Sequence, residues 1–369
     1  MKRVWLQAFA LVAICAATVS ADDLDDFVNA AIKQRNIPGV AIAVVKDGAL
    51  VRIGGYGLAD RERKVAPDAD TVFRIGSLSK QFIATGIMLL VQDGRLAVGD
   101  RLDTHMRDVP SAWHDITIRH LLTHTSGLRR EAPAADLSQS QPDIDLIRSA
   151  YDVPLQWKPG DKYDYSNLGY YVLAEVITRV GRMPWHEFIA RRVFQPLGMT
   201  RTTTTSDAGR LANRASGYVW RDGAWTAAPA LVALRPSGAF ASTATDLAKW
   251  AVALDGDRVL SKASKVEMWK PVTLNGGGTF PYGFGWELDD FPPGGHVTGV
   301  PMIRHEGTIP GFRPGFTRLP KQGLTVIVMT NLDRGAVDAI IAGIAVRYAP
   351  ELIPDALRQW KDRAALGLR

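Results

Sequence analysis

The 369-residue chain is short of cysteine and of long apolar stretches, and each shortage excludes a class of protein. It contains a single cysteine, Cys15, so it cannot form an internal disulfide. Its mean hydropathy is close to zero, which excludes a protein with many membrane spans. No Gly-x-Ser-x-Gly sequence occurs, which argues against an α/β-hydrolase. Repeats and low-complexity segments are also absent, so we predict a protein with a large folded core.

Neither sign of charge dominates the sequence. The chain has 44 lysines and arginines against 38 aspartates and glutamates, a net charge of +6. Two of the basic residues, Lys2 and Arg3, lie at the extreme N-terminus. No run of lysine or arginine is long enough to make a nucleic-acid footprint, so we expect no nucleic-acid partner.

The N-terminus has the pattern of a secretory signal peptide. Basic residues precede an apolar run from Val4 to Val19, and small residues continue to Ala21. This order predicts a signal peptide over residues 1–21 that is cleaved after Ala21. A retained membrane anchor is the alternative, but the run is shorter than the ~20 residues that a span needs. We therefore expect a secreted, periplasmic protein without stable membrane insertion.

Both ends of the chain carry strand patterns, whereas the middle carries helical ones. Asp47-Gly48 separates two β-rich runs near the N-terminus and is a strong hairpin signal. Apolar residues between about 78 and 270 recur mostly at helical spacing. The predicted strands are 39–45, 49–53, 283–288, 311–319 and 324–329, and a predicted helix covers 337–348.

These patterns predict an α/β fold of the α+β type. An antiparallel sheet flanked by helices is expected from both chain ends, residues 22–73 and 271–369, with a mostly helical domain inserted at 74–270. We expect the active site between these two domains. The stretch from Glu131 to Asp143, rich in Gln, Ser, Pro and Asp, is interpreted as a mobile loop.

Ser77 and Lys80 form a Ser-x-x-Lys sequence at the start of a predicted helix. Residues three apart lie one turn from each other, so the Lys80 amine can reach the Ser77 hydroxyl. Burial and the positive end of the helix dipole both disfavour an ammonium there, which predicts a lowered Lys80 pKa. A serine nucleophile activated by lysine is one interpretation, and a chance match of a short motif is the other.

A second candidate element is Tyr165-Ser166-Asn167, in a loop rich in Gly, Asp and Asn before a predicted helix. A tyrosine near a lysine can relay a proton, and an asparagine amide can hold both a lysine and a substrate carbonyl. The alternative interpretation is an asparagine helix cap beside a packed tyrosine.

The third element is His305-Glu306-Gly307-Thr308, at the end of a predicted strand. Gly307 has no side chain that would block a substrate. The backbone N–H of Thr308, together with that of Ser77, would form an oxyanion hole. For His305 the alternative is a structural histidine whose hydrogen bonds are satisfied by its neighbours.

These three elements, in this order, resemble the serine β-lactamase and penicillin-binding protein superfamily. The similar branch contains class C β-lactamases, D-Ala-D-Ala carboxypeptidases and family VIII esterases. The resemblance runs from about Asp25 to Tyr348, and the further similar segments are 71–82, 118–128, 194–199, 310–312 and 330–332.

The resemblance implies a role for each candidate residue. Ser77 would be the acylated nucleophile, Lys80 and Tyr165 the proton-transfer pair, and Asn167 a positioning residue. Substrate binding and the oxyanion hole would involve His305, Gly307 and Thr308.

His305 departs from the pattern of the resembled family. It stands where many members have the lysine of a Lys-Thr-Gly motif, and Glu306 replaces the threonine. A histidine is charged only below a pKa of about 6.5 unless its surroundings perturb it. The sequence therefore disfavours recognition of a carboxylate-bearing β-lactam, although some D-Ala-D-Ala peptidases of the family also have histidine there.

The resemblance implies an exported serine hydrolase, without cofactor, that cleaves an ester or amide through an acyl-enzyme on Ser77. The expected partner is a small-molecule ester, amide, β-lactam or D-amino-acid peptide. The alternatives are a β-lactamase or D-Ala-D-Ala carboxypeptidase, and a non-catalytic protein that binds peptidoglycan or β-lactams.

Two histidines offer a competing metal hypothesis. His120 and His124 are four residues apart and would share a helical face, with His114 or Asp115 as a third ligand. Their segment matches a part of the resembled family that binds no metal, so we expect no metal site.

Overall fold

The computed structural model describes residues 21–136, 138–231, 235–292 and 299–352. The predicted signal peptide lies outside these residues except for Ala21, and Cys15 lies outside them with it. Over the residues described, no helix combines the length and the apolar character needed to cross a membrane.

The chain contains groups of consecutive helices and groups of consecutive strands. The α-helices are α1 (Ala21–Gln34), α2 (Ser79–Gln92), α3 (Leu102–His105), α4 (Ile118–Leu122), α5 (Asp143–Arg148), α6 (Asn167–Gly181), α7 (Trp185–Ile189), α8 (Gln195–Leu197), α9 (Ala244–Asp255), α10 (Lys262–Met268) and α11 (Val337–Tyr348). The strands are β1 (Gly39–Lys46), β2 (Ala49–Gly57), β3 (Phe73–Arg74), β4 (Thr203–Thr204), β5 (Tyr218–Arg221), β6 (Ala224–Ala227), β7 (Phe240–Ser242), β8 (Val272–Thr273), β9 (Thr279–Phe280), β10 (Glu287–Asp290), β11 (Pro301–Glu306), β12 (Arg313–Leu319) and β13 (Leu324–Thr330).

The main sheet takes its strands from both ends of the chain. It has six strands in the order β10-β11-β12-β13-β1-β2. Each neighbouring pair is antiparallel, and β1 and β2 form the hairpin predicted at Asp47-Gly48. The predicted fold class, an antiparallel sheet with flanking helices, is confirmed.

Strand β1 is buried on both faces because helices cover both sides of the sheet. Its even-numbered residues from Val40 to Val44 belong to the apolar cluster formed with α1 and α11. Its odd-numbered residues from Ala41 to Val45 belong to the cluster that contains the apolar side chains of α2 and α9. Successive strand residues point to opposite faces, so a strand between two covered faces is apolar at nearly every position.

The middle of the chain is rich in helix but also contains a small β3-β7-β4 sheet and the β5-β6 hairpin. The small sheet fixes the start of α2. The Ile75 N–H donates to the Phe240 carbonyl at 3.0 Å, and the Phe240 N–H donates to the Ser79 hydroxyl at 3.0 Å. The boundaries of the inserted helical domain stay a prediction.

The predicted strand at 283–288 is wrong in position, since β10 covers Glu287–Asp290 instead. Gly285 has a φ of +77°, in the left-handed region, and the Gly283 N–H donates to the Trp286 carbonyl at 2.8 Å. The segment therefore turns. This turn buries the side chains of Phe284 and Trp286, the aromatic residues that give the segment its strand-like composition.

The side chain of Asn331 joins the sheet to neighbouring loops and is completely buried. Its Oδ1 accepts a hydrogen bond from the Gly39 N–H at 2.7 Å. Its Nδ2 donates to the carbonyls of Leu58, Ala59 and Ser216 at 3.0, 3.2 and 3.0 Å. One buried amide therefore connects four backbone groups of the sheet and the neighbouring loops.

Asn331→Ala is expected to lower the free energy of unfolding by about 2–4 kcal/mol, because buried backbone groups lose their partner. Urea unfolding followed by circular dichroism measures this loss. Asn275→Ala is the matched control, since Asn275 is exposed and a change there is expected to be small. A loss at Asn331 no larger than the loss at Asn275 would contradict the structural role.

Candidate active site

Ser77 lies in a short 3-10 turn, Gly76–Leu78, that continues directly into α2. Gly76 has a φ of +50°, and a Cβ there would lie 3.4 Å from the Thr308 nitrogen and 3.1 Å from the Ile309 Cγ2. Glycine suits both the left-handed conformation and this close approach. The turn leaves Ser77 half-buried while Lys80 is fully buried.

The Lys80 amine contacts three oxygen atoms. It lies 3.1 Å from the Ser77 Oγ, 2.8 Å from the Asn167 Oδ1 and 3.0 Å from the Ser237 carbonyl oxygen. Burial lowers the Lys80 pKa well below its ordinary value, the Glu131 carboxylate opposes this shift, and the Arg130 guanidinium adds to it. The predicted direction of the shift agrees with this arrangement.

The neutral form of Lys80 has two N–H donors and one lone pair. The amide oxygen of Asn167 and the carbonyl of Ser237 can only accept, so they take the two N–H groups. The lone pair is then left for the Ser77 hydroxyl, which donates to it. This is the geometry that a general base needs in order to remove a serine proton.

Tyr165 lies beside the same two residues. The Lys80 Nζ lies 4.7 Å from the centre of the Tyr165 ring, and a hydrogen bond joins the Tyr165 and Ser77 hydroxyls. Burial raises the Tyr165 pKa. Tyr165 is therefore a neutral phenol that can pass a proton from one oxygen to another.

Asn167 is the first residue of α6, but the residue that caps the helix is Ser166. The Ser166 hydroxyl accepts a hydrogen bond from the Gly169 N–H at 3.0 Å. The Asn167 amide is thus free to accept from Lys80 and to donate to the Glu131 carboxylate. Tyr171 also donates to Glu131, at 3.3 Å, which fixes that carboxylate beside the amide.

Gly307 brings the end of β11 against the turn that carries Ser77. A Cβ on Gly307 would lie 2.2 Å from the Ile75 carbonyl oxygen, so this approach requires glycine. The neighbouring Thr308 nitrogen lies beside Gly76. The N–H groups of Ser77 and Thr308 are therefore on adjacent segments, as an oxyanion hole requires, and their role stays a prediction.

His305 has both ring nitrogens engaged inside the protein. Its side chain is buried, with the Nε2 3.0 Å from the Tyr282 hydroxyl and the Nδ1 2.6 Å from the Glu306 carbonyl oxygen. Burial lowers the His305 pKa to about 3. His305 is therefore neutral near pH 7 and supplies no fixed cation for a substrate carboxylate.

Glu306 does not face the site. Successive strand residues alternate between faces, and Glu306 forms ion pairs with Arg304 and Arg313 on the side away from His305. Glu306 therefore pairs with charged residues of β11 and β12 rather than with the site.

Two contributors to the site are not singled out by the sequence. Ser237 acts through its backbone carbonyl, which leaves no side-chain signal. Glu131 lies at the edge of the loop predicted to be mobile. The described part of this loop is held by Arg235, whose Nη2 donates to the carbonyls of Asp136 and Gln139, both at 2.9 Å.

The two histidines of the metal hypothesis have other partners. The His120 Nδ1 accepts a hydrogen bond from the Thr117 N–H at 3.2 Å and closes a capping box at α4. The His124 Nε2 lies 3.1 Å from the Tyr282 hydroxyl. Among the residues that the structure describes, no group of three or more His, Cys, Asp or Glu side chains could hold a metal ion.

Known proteins are similar to this chain over most of its length. Penicillin-binding protein 4* of Bacillus subtilis (strain 168) is 29% identical over 313 residues, which cover 79% of this chain and 68% of that protein. Protein flp of Staphylococcus aureus (strain MW2) is 25% identical over 360 residues, which cover 93% of this chain and 70% of that protein.

Solved structures share the fold. The octameric penicillin-binding protein homologue from Pyrococcus abyssi has a TM-score of 0.78 at 24% identity, covering 90% of this chain and 78% of that one. The D-amino acid amidase from Ochrobactrum anthropi SV3 has a TM-score of 0.74 at 24% identity, covering 90% and 98%. The family model described as Beta-lactamase matches residues 24–350. Because that match spans most of the sequence, the chain belongs to the beta-lactamase family.

Proposed function

We propose that this protein is a serine hydrolase that cleaves an ester or amide bond through an acyl-enzyme on Ser77. The observation that carries the proposal is the arrangement around the buried Lys80 amine. Two acceptors, the Asn167 amide oxygen and the Ser237 carbonyl, leave its lone pair for the Ser77 hydroxyl.

The reaction follows from these positions. As the Ser77 oxygen bonds to the substrate carbonyl carbon, the hydroxyl proton moves to Lys80. The negative oxygen of the tetrahedral intermediate accepts hydrogen bonds from the Ser77 and Thr308 N–H groups. The bond to the leaving group then breaks, and Tyr165 relays the proton from Lys80 to it. A water molecule attacks the acyl-enzyme by the same route, which releases the acid and restores Ser77.

The neutral state of His305 favours substrates without a carboxylate at that position. The carboxylate of an anionic β-lactam would there meet an uncharged imidazole, and both nitrogens of that imidazole already have partners within the protein. We therefore place simple esters and amides first among the substrates. The D-amino acid amidase among the structural neighbours supports amides of D-amino acids within this class.

A β-lactamase or D-Ala-D-Ala carboxypeptidase is the second candidate, and one observation favours it. The exposed guanidinium of Arg130 lies 5.0 Å from the centre of the Tyr165 ring, where it could attract a substrate carboxylate. The likeness to penicillin-binding protein 4* supports the same candidate.

Ser77→Ala is expected to reduce turnover of a short-chain p-nitrophenyl ester by about 10³-fold or more, since it removes the nucleophile. Intact-mass spectrometry should show an acyl adduct on the wild type and none on this variant. Ser111→Ala is the matched control, because Ser111 is an exposed serine on a separate segment of the chain. If Ser77→Ala still forms the adduct, the proposed nucleophile is wrong.

Substrate preference tests the role of the neutral His305. The value of kcat/KM is expected to be at least about tenfold higher for a p-nitrophenyl ester or a D-amino acid amide than for a chromogenic cephalosporin. The reason is that one missing charge-assisted hydrogen bond costs about 1.5–3 kcal/mol, and about 1.4 kcal/mol corresponds to tenfold. Faster turnover of the cephalosporin would support the second candidate and contradict this ranking.

Two exposed charged residues beside the site, Glu131 and Arg130, are expected to shift the Lys80 pKa in opposite directions. The pH dependence of activity should shift with it. Activity requires neutral Lys80, so kcat/KM rises as the pH increases through the Lys80 pKa. Glu131 raises this pKa and Arg130 lowers it. Glu131→Gln should therefore move the acid limb to lower pH, and Arg130→Gln should move it to higher pH.

Each shift is expected to be a fraction of a pH unit, since an exposed charge contributes about 0.2–1 kcal/mol. The measurement is the pH profile of kcat/KM for an uncharged ester at low ionic strength, and added salt should reduce both shifts. The two variants serve as controls for each other. Shifts in the same direction would rule out Lys80 as the group that sets the acid limb.

A further inference from the structure

A bridge of three buried side chains, His124, Tyr282 and His305, crosses the floor of the site. The Tyr282 hydroxyl lies 3.1 Å from the His124 Nε2 and 3.0 Å from the His305 Nε2. The three residues are 1%, 1% and 2% exposed. We call these three side chains the His–Tyr–His bridge.

Backbone groups at both ends assign the protons of the bridge. The Ser166 N–H donates to the His124 Nδ1 at 3.1 Å, so this nitrogen carries no proton and the Nε2–H donates to Tyr282. At the other end, the His305 Nδ1 faces the Glu306 carbonyl oxygen, so it carries the proton. The His305 Nε2 must then accept from the Tyr282 O–H. With both imidazoles neutral, these four contacts allow one arrangement, in which the two rings have opposite tautomers.

The bridge joins the two sides of the site. Ser166 stands between Tyr165 and Asn167, and Glu306 directly precedes Gly307 and Thr308. One end of the bridge therefore holds the start of α6 and the other holds the end of β11.

The His124 ring also packs on the ring of Tyr165. Their centroids are 4.2 Å apart with an interplanar angle of 34°. The bridge thus contacts the proposed proton relay directly, although none of its three side chains touches Ser77 in a described hydrogen bond.

We propose that His124, Tyr282 and His305 are positioning residues, which hold Tyr165 and Asn167 at a fixed distance from the Thr308 N–H. The catalytic consequence rests on the proposed function, whereas the tautomers do not depend on it. Catalysis of acyl transfer needs the base and the oxyanion donors to be placed within fractions of an ångström. His305 then acts as a neutral hydrogen-bond acceptor rather than as a cation for the substrate.

Tyr282→Phe is the sharpest test, since it removes only the hydroxyl and keeps the ring. The value of kcat for an uncharged ester is expected to fall by about tenfold or more while KM changes little, because placement of groups rather than binding is lost. Tyr56→Phe is the matched control, since that hydroxyl also joins two side chains, Asp25 and Arg52, but at the opposite edge of the sheet. Its kcat should stay unchanged.

Nitrogen NMR of the full chain labelled at histidine gives a readout that is independent of activity. Among the seven histidines, His124 should appear as an Nε2–H imidazole and His305 as an Nδ1–H imidazole, each identified by the signal that is lost in its glutamine variant. Both should keep their tautomers from pH 5 to 8, in agreement with the lowered His124 and His305 pKa values. In Tyr282→Phe both signals should change. A His124 or His305 imidazole that titrates in this range in the wild type, or an unchanged kcat in Tyr282→Phe, would overturn the proposal.

A second pair of variants tests the bridge even if Tyr282→Phe folds poorly. His305→Gln keeps an acceptor for the Tyr282 O–H, whereas His305→Leu keeps none. The glutamine variant should retain several-fold more kcat than the leucine variant, and equal activities would contradict the bridge. If the wild type hydrolyses nothing, the proposed function fails and the tautomers alone decide whether the bridge exists.

Discussion

The structure around the site depends on one buried amine, that of Lys80. Two of its partners, the Asn167 amide oxygen and the Ser237 carbonyl, can only accept hydrogen bonds. Lys80 comes from α2, the Asn167 amide from α6 and the Ser237 carbonyl from a separate turn. Three segments must therefore meet within hydrogen-bond distance of a single nitrogen. An ammonium removed from water is unfavourable, so the uncharged amine is the form that this environment stabilises. The same contacts that close the core thus create the base that the proposed chemistry requires.

Contacts on both sides hold the segment of α2 that carries Lys80. The start of α2 is fixed by the Ser79 hydroxyl and by the small sheet around Phe240. On the opposite side, the turn at Gly285 packs against the carbonyl of Lys80, where a Cβ would lie 2.8 Å away. Catalytic groups on helix and strand ends are held more precisely than groups on free loops.

Strand β11 is held from both of its faces. His305 points toward the site, whereas Arg304 and Glu306 point toward a cluster of charged groups that includes Asp338 of α11. Burial raises the Asp338 pKa to about 7, and the Arg304 charge opposes this shift. Side chains alternate between the two faces of a strand, so His305 and Glu306 contact different neighbours although they are adjacent in sequence.

Local sequence patterns predict much of the fold and of the site. The remaining features depend on contacts between segments that are distant in the sequence. The spacing of Ser77 and Lys80 predicts their contact, because one helical turn brings residues three apart together. The composition of both termini predicts the antiparallel sheet. No local pattern shows that the Ser237 carbonyl faces Lys80, or that Tyr282 lies between His124 and His305. The turn at Gly285 is also not evident from the sequence, because its segment has the aromatic composition of a strand.

The order of strands in the main sheet also bears on how the protein folds. β1 lies between β2 and β13, and Gly39 is bound to Asn331 across 292 residues of sequence. A ribosome delivers β1 long before β13, so β1 has one open edge until almost the whole chain has been made. Pairings of such long range form slowly. The cleft needs Ser77 from the early part of the chain and Thr308 from the late part, so it cannot form before both segments are available.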